Sequence, residues 1–196
     1  MSSLDDVVAA IDAGRLVVIP TDTVYGIACR PDREDSVRAL SALKQRSAEQ
    51  PIALVAASVG ALRELIPELP ARLVLPGPFT LVVPNPARRF PWLAGARPDT
   101  IGVRVPDLSG AAAHSLERVG VVAATSANLH GGPDPGRVDD VPAEILAGVA
   151  AVLDVGDLPG LPSTVLDLTG PEPRVLREGA MPAAEALARV AEAVRQ

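Results

Sequence analysis

The sequence predicts an α/β protein: one open, twisted, mostly mixed sheet flanked by helices, in a single domain over residues 1–196. Three observations predict it. Short apolar runs such as Leu16-Val17-Val18-Ile19 have the continuous hydrophobic character of strands covered on both faces. Segments with apolar residues at helical spacing alternate with such runs along the chain. The length of 196 residues, with 48% hydrophobic and 21% charged residues, suits one unit with a substantial core.

The elements follow in order. Leu4 to Ala13 reads as a helix, with Val7, Val8 and Ile11 on one face and Gly14 as its stop. Leu16 to Ile19 and Val24 to Cys29 read as strands. Asp32 to Lys44 is a helix, with Val37, Leu40 and Leu43 at a three-residue spacing. Ile52 to Ala56 returns to strand character, and Ser58 to Leu65 and Pro70 to Leu75 read as helices. Phe79 to Val83, Ile101 to Val105 and Val121 to Ala124 are strands, with a helix from Ser109 to Arg118 between the last two. A helix near Val141 to Ala147 precedes strands near Ala150 to Leu153, Thr164 to Leu168 and Arg174 to Leu176. Pro182 to Arg195 is an Ala-rich terminal helix. Prolines run at about twice the usual ~5% and are spread through the loops, so no linker divides the chain.

Composition narrows the function. Aromatic residues are only 2%, so the core must be built from Val, Leu, Ile and Ala. The net charge of −6 argues against a general polyanion binder; any nucleotide site must be local. One cysteine, Cys29, excludes an internal disulfide, and His114 and His130 are scattered, so no Cys/His metal cluster is expected. Ser2-Ser3-Leu4-Asp5-Asp6 is acidic where a secretory signal would be basic, and no apolar run is long enough to span a bilayer. The expected setting is cytoplasmic, with no membrane contact.

Of 18 cationic side chains, 17 are arginine and one is lysine, Lys44. A lysine retained in such a background suits a place for a compact ammonium with three rotatable donors. Its neighbourhood, Lys44-Gln45-Arg46 followed by Gln50-Pro51, sets two cations two residues apart just past a helix, where they could clamp phosphate oxygens. No glycine-rich phosphate loop is present, so side chains would have to do this work. In Pro20-Thr21-Asp22-Thr23-Val24-Tyr25-Gly26, two threonine hydroxyls and a phenol suit a small polar substrate; the bland alternative is a turn capped by Asp22 with Tyr25 in the core. Pro76-Gly77-Pro78-Phe79-Thr80 reads as a rigid turn delivering a strand. In Thr100-Ile101-Gly102-Val103-Arg104-Val105-Pro106, alternation puts Arg104 on the face opposite both valines. There it needs a ligand or a carboxylate such as Asp99 or Asp107. Ser126 and Asn128 of Thr125-Ser126-Ala127-Asn128 could bond phosphate or ribose oxygens from a strand-end loop, or merely form a turn. His130 reads as an exposed loop residue. Ser163 and Arg177 stand at strand edges, and Arg177 is a further candidate phosphate or base contact.

Taken in order, PTDTVYG, KQR, PGPFT, TIGVRVP, TSAN, STVLD and VLREGA closely resemble the YrdC-like family, best known for threonylcarbamoyl-AMP synthases. The resemblance runs from Leu16 to Ala180 and is to the short form, without an extra C-terminal domain. It implies a deep, positively lined cleft and a nucleotidyl transfer joining L-threonine, bicarbonate and ATP into L-threonylcarbamoyladenylate and pyrophosphate. It implies contacts to threonine from Thr23, Arg104 and Ser163. It implies an ATP side lined by Lys44, Arg46, Gln50, Thr100, Ser126, Asn128, Asp134 and Arg177, with Lys44 and Arg46 as the catalytic charges. Mg2+ is expected through the ATP phosphates, with no metal ligand from the protein. The product would feed tRNA threonylcarbamoyl-transferase proteins, with at most a weak direct contact to tRNA. Four positions depart from the family pattern: Ser47 for proline, Val55 for histidine, Asp22 for glutamate and His130 for serine. The rival readings are a carbamoyl-adenylate-forming relative with another substrate and a non-catalytic RNA-binding module. The scarcity of aromatic stacking groups weighs against the second.

Overall fold

The computed structural model describes residues 1–47, 49–70 and 76–195, with side chains as far as residue 192 in the last helix. The strands are β1 (Val17–Pro20), β2 (Tyr25–Cys29), β3 (Ala53–Ala56), β4 (Phe79–Pro84), β5 (Thr100–Arg104), β6 (Val121–Ser126), β7 (Ala151–Val152), β8 (Thr164–Asp167) and β9 (Arg174–Arg177). They form one mixed sheet in the order β7-β1-β2-β6-β3-β5-β4-β8-β9. Three junctions are parallel, β7 with β1, β3 with β5 and β4 with β8; the others are antiparallel.

The α-helices are α1 (Leu4–Asp12), α2 (Glu34–Leu43), α3 (Val59–Leu65), α4 (Gly110–Val119), α5 (Ala143–Gly148) and α6 (Ala183–Arg195). Helix α1 starts in a capping box: Asp6 N donates to Ser3 Oγ at 3.2 Å and Ser3 N to Asp6 Oδ2 at 2.9 Å. Such a cap contributes about 1 kcal/mol. The expected helix over Pro70 to Leu75 falls on residues 71–75, outside the described residues. Strand β6 is longer than the sequence suggests. Ser126 lies in the ladder opposite Gly26, not in a loop beyond the strand.

Strand alternation divides the protein into two faces. On one, Ile27, Leu54, Leu81, Val103 and Leu166 pack against Leu40 of α2, Leu62 of α3, Ile145 of α5 and Ala186 of α6. Fully buried aliphatic side chains of this kind stabilise by about 1.5–3 kcal/mol each. On the other, α1 and α4 bring Val7, Ala10, Ile11 and Leu116 onto Val17, Ile19 and Val122. The rest of that second face, over β3, β5, β4 and the ends of β2 and β6, opens into a cleft of about 670 Å³. Small residues pave it: Gly26, Ala53, Gly102 and Ala124. Gly102 has ordinary backbone angles, but a Cβ there would meet the Ala53 Cβ at 3.3 Å, so glycine keeps the floor low.

Tyr25 belongs to the scaffold, not to a substrate site. Its side chain is fully buried in the main core. Its hydroxyl accepts from Val155 N at 3.0 Å and lies 2.8 Å from Gly156 O and 3.0 Å from Asp154 Oδ1. Burial, and then the hydrogen bond to Asp154 and its charge, push the phenol up to about 12, against the Val155 N–H. The contacts tie β2 to the loop after β7. Tyr25→Phe should therefore lower folding stability by about 1–3 kcal/mol in a urea titration, with the KM of each substrate unmoved. A shifted KM would return the phenol to the site.

Candidate functional site

Among the described residues, five cationic side chains line the cleft: Lys44, Arg46, Arg97, Arg104 and Arg177. Against them stand two carboxylates, Glu49 and Asp134. A chain of net charge −6 thus holds a locally positive cavity.

Lys44 ends α2, and Gln45 after it takes the left-handed conformation at φ 54°, which turns the chain back across the sheet. The Lys44 side chain is 3% exposed. Its ammonium donates to Ser126 O, to Asn128 O at 2.8 Å and to Asn128 Oδ1 at 2.7 Å. An ammonium has three N–H donors, and these three acceptors use them all. Ser126 Oγ donates to the same Asn128 Oδ1 at 2.7 Å, and Asn128 Nδ2 donates to Gly132 O at 2.6 Å. Lys44 and the Ser126–Asn128 pair are thus one knot, which shapes the loop after β6 and puts a fixed charge beneath it. Burial, then the nearby Arg46 charge, push Lys44 down to about 8; Asp134 opposes them.

Arg46 donates from Nη1 to Thr125 Oγ1 at 2.9 Å and from Nη2 to Pro51 O at 2.6 Å. Arg104 projects from β5 into the cleft, opposite Val103, as alternation requires. Its partner is neither Asp99 nor Asp107. Arg104 Nη2 bonds Asp22 Oδ1, and Thr23 Oγ1 at 2.8 Å; the other Asp22 oxygen accepts from Asp107 N at 3.0 Å. Both guanidiniums are held below their ordinary values, by burial first and then by Arg177. For Arg104 the neighbouring Asp22 works in the opposite direction. Among the described residues, each keeps a buried Nε–H without an acceptor. A half-buried and a fully buried cation, each short of an acceptor, favour an anion in the cavity.

The other expected residues divide. Gln50, Thr100, Ser126, Asn128, Asp134, Ser163 and Arg177 all line the cleft with Lys44, Arg46 and Arg104. Thr100 Oγ1 donates to Arg97 O at 2.9 Å, and Arg177 reaches Ser163 O at 2.8 Å and Ser163 Oγ at 3.3 Å. Thr23 is the exception. It is fully buried and stands behind Arg104, while Thr21 takes the place in the wall. Thr21 Oγ1 spends its proton on Val24 O at 2.7 Å, so Thr23 donates to Thr21 across 3.0 Å and accepts from Arg104.

Sequence reasoning missed Thr80 and Arg97, and treated His130 as a bystander. His130 is exposed, yet it lines the cleft 3.4 Å from Gln50. Thr80 follows Phe79 of the core, so alternation could have placed it on the cleft face. Arg97 carries no such signal, because it precedes β5 in irregular backbone, where it donates to Asp167 Oδ2 at 2.9 Å and Thr169 Oγ1 at 2.7 Å.

Comparison with known proteins agrees with this architecture. The Sua5/YciO/YrdC family model, described as telomere recombination, matches residues 9–179. A threonylcarbamoyl-AMP synthase of Shigella boydii is 37% identical over 180 residues, which cover 85% of this chain and 93% of that protein. The crystal structure of Pyrococcus abyssi Sua5 complexed with L-threonine is 31% identical with a TM-score of 0.82; the match covers 98% of this chain and 59% of that longer one. Escherichia coli YciO shares the fold at 22% identity and a TM-score of 0.78, over 94% of this chain and 92% of its own. With the family model matched from the first helix to the strand edge bearing Arg177, the chain belongs to the Sua5/YciO/YrdC family.

Proposed function

We propose that this protein is an L-threonylcarbamoyladenylate synthase. The observation that carries the reading is the pair of guanidiniums of half-buried Arg46 and buried Arg104 in one positive cleft, each with a buried Nε–H that has no acceptor among the described residues. Such a site suits a ligand with several anionic oxygens. ATP and an amino-acid carboxylate are such ligands, and the similar proteins named above bear the matching activity or ligand.

In this reading the threonine amine attacks carbon dioxide derived from bicarbonate, and water is lost overall. A carbamate oxygen then attacks the α-phosphorus of ATP; the bond to the β-phosphate oxygen breaks and pyrophosphate leaves with the electron pair. No protein nucleophile is required. The chain's contribution is to hold the reactants in line and neutralise charge. Arg104 and Ser163 take the threonine side, with Thr23 bracing Arg104 from behind. Lys44, Arg46, Gln50, Thr100, Ser126, Asn128, Asp134 and Arg177 take the ATP side, where Lys44 acts through its charge and the loop it ties. Among the described residues, no three His, Cys, Asp or Glu side chains stand together to hold a metal. In this reading Mg2+ is part of the substrate and arrives on the ATP phosphates. The product is an activated carbamoyl donor for tRNA modification by partner proteins.

Purified protein given threonine, bicarbonate, Mg2+ and ATP should release pyrophosphate only when all four are present. Release without threonine would point to a different acceptor, and no release would sink the reading. Among the described residues no helix is long and apolar enough to cross a membrane.

A further inference from the structure

Thr80 and Ser163 form a buried hydroxyl pair on the cleft wall that nothing above uses fully. Thr80 is the second residue of β4 and Ser163 immediately precedes β8, and the parallel pairing of these strands brings them together. Their oxygens are 2.9 Å apart, and the residues are only 8% and 5% exposed. Both line the cleft.

A proton count shows what the pair lacks. Two hydroxyls bring two protons. One lies between them, whichever is the donor. Arg177 Nη2 adds a donor to Ser163 Oγ at 3.3 Å and takes no proton away. Among the described residues no acceptor is in place for the second proton. A buried hydroxyl without an acceptor is costly, so the pair is built to meet a ligand atom. It can donate one bond and also accept one. A ligand hydroxyl does both, whereas a carboxylate oxygen only accepts.

The neighbours on β5 indicate which hydroxyl. Antiparallel β4 pairs Leu81 with Val103 and Val82 with Gly102, so Thr80 follows opposite Arg104. The Thr80 Cγ2 methyl would lie 3.7 Å from a Cβ at Gly102, which confirms its place on this face. On the other side of β5, parallel β3 sets Val55 opposite Arg104. Val55 also faces the cleft. Arg104 is therefore flanked by an apolar side chain on one side and by the hydroxyl pair on the other.

We infer that Thr80 is a specificity-determining residue: with Ser163 it receives the β-hydroxyl of an amino acid whose carboxylate is on Arg104, while Val55 receives the β-methyl. This rests on the synthase reading above and deepens it. The two flanks read the two branches of the threonine β-carbon separately. The site then selects against amino acids that lack the hydroxyl, such as 2-aminobutyrate. It also selects against allo-threonine, in which hydroxyl and methyl exchange places.

The test measures pyrophosphate release with threonine, allo-threonine and 2-aminobutyrate for the wild type, Thr80→Val and Thr80→Ser. Wild type should favour threonine over both analogues by about 100-fold or more in kcat/KM, since a site built to bond a hydroxyl strongly rejects a ligand without it. Thr80→Val, close in shape, should bring both ratios within about tenfold, with the KM for ATP unchanged. Thr80→Ser should keep the preference over 2-aminobutyrate. Thermal melting accompanies each variant. If Thr80→Val does not fold, loss of the preference over 2-aminobutyrate in Thr80→Ser overturns the proposal. Wild-type preference retained in Thr80→Val overturns it as well and leaves the synthase reading standing. No threonine-dependent release by wild type overturns both.

Discussion

Lys44→Ala should lower kcat/KM for ATP by about 10²–10³-fold, the loss seen when one preorganised electrostatic group is removed from a site. Two effects combine. The cleft loses a positive charge held out of water, and Ser126 O, Asn128 O and Asn128 Oδ1 lose the donor that gathers them. Buried acceptors left unpaired cost about 1–3 kcal/mol each, so the variant should also melt earlier. Lys44→Arg should not restore activity, because a planar fork cannot aim three donors at three converging oxygens. The pH dependence supplies a signature. With Lys44 pushed down to about 8, its ammonium persists below that pH and is lost above it. Activity should fall as pH rises through about 8. Folding stability should move the other way, because the folded value lies below the unfolded value of about 10.4. Between the two values the unfolded chain binds more protons. This contribution to stability is therefore full above the unfolded value and is lost as pH falls through about 8. An activity within threefold of wild type for Lys44→Ala, with an unchanged melt, would reject the assigned role.

Arg104→Ala should be the most damaging single change in the cleft for the fold. Arg104 and Asp22 are 8% and 9% exposed at their side chains, and removing the cation strands a buried carboxylate. Breaking such a pair costs about 3–5 kcal/mol, readable in denaturant unfolding. Recognition is separated from stability by Arg104→Lys, which leaves Asp22 a cation but removes the two-pronged donor set. Its KM for threonine should rise at least about tenfold, while its KM for ATP stays within about threefold. Equal losses on both substrates would place Arg104 between the subsites and not on the threonine side.

The residues that sequence reasoning located are those whose position depends on local rules. Arg104 faces the cleft because strand alternation leaves no other choice once Val103 is inside. Lys44 stands out by composition, and it ends its helix at the expected place. What escaped was set by pairings between distant segments. Asp22 meets Arg104 across 82 positions of chain, through strands β2, β6 and β3, whereas local reasoning looked to Asp99 and Asp107. The turn before β2 decides that Thr21 faces the cleft and Thr23 the interior, and no periodicity distinguishes two threonines in a turn. The phenol of Tyr25 found its partners on the loop after β7, more than a hundred residues on. The residues that the family resemblance names come together in one cleft, all but Thr23, but the resemblance does not show the internal bonds among them. The knot of Lys44 with Ser126 and Asn128 became legible only with distances.

Strand β5 carries two unrelated duties on five consecutive residues. Ile101 and Val103 face the packed interior, while Thr100, Gly102 and Arg104 face the cavity. Damage along it should therefore sort by the parity of the residue number. A polar group at an odd position ruins expression and leaves nothing to assay. An oversized group at Gly102 yields a well-folded protein with its vessel filled. A mutational scan of residues 100–103 would show failures of turnover and failures of yield interleaved at intervals of one residue, and only Arg104, which also neutralises the buried Asp22, should fail in both ways.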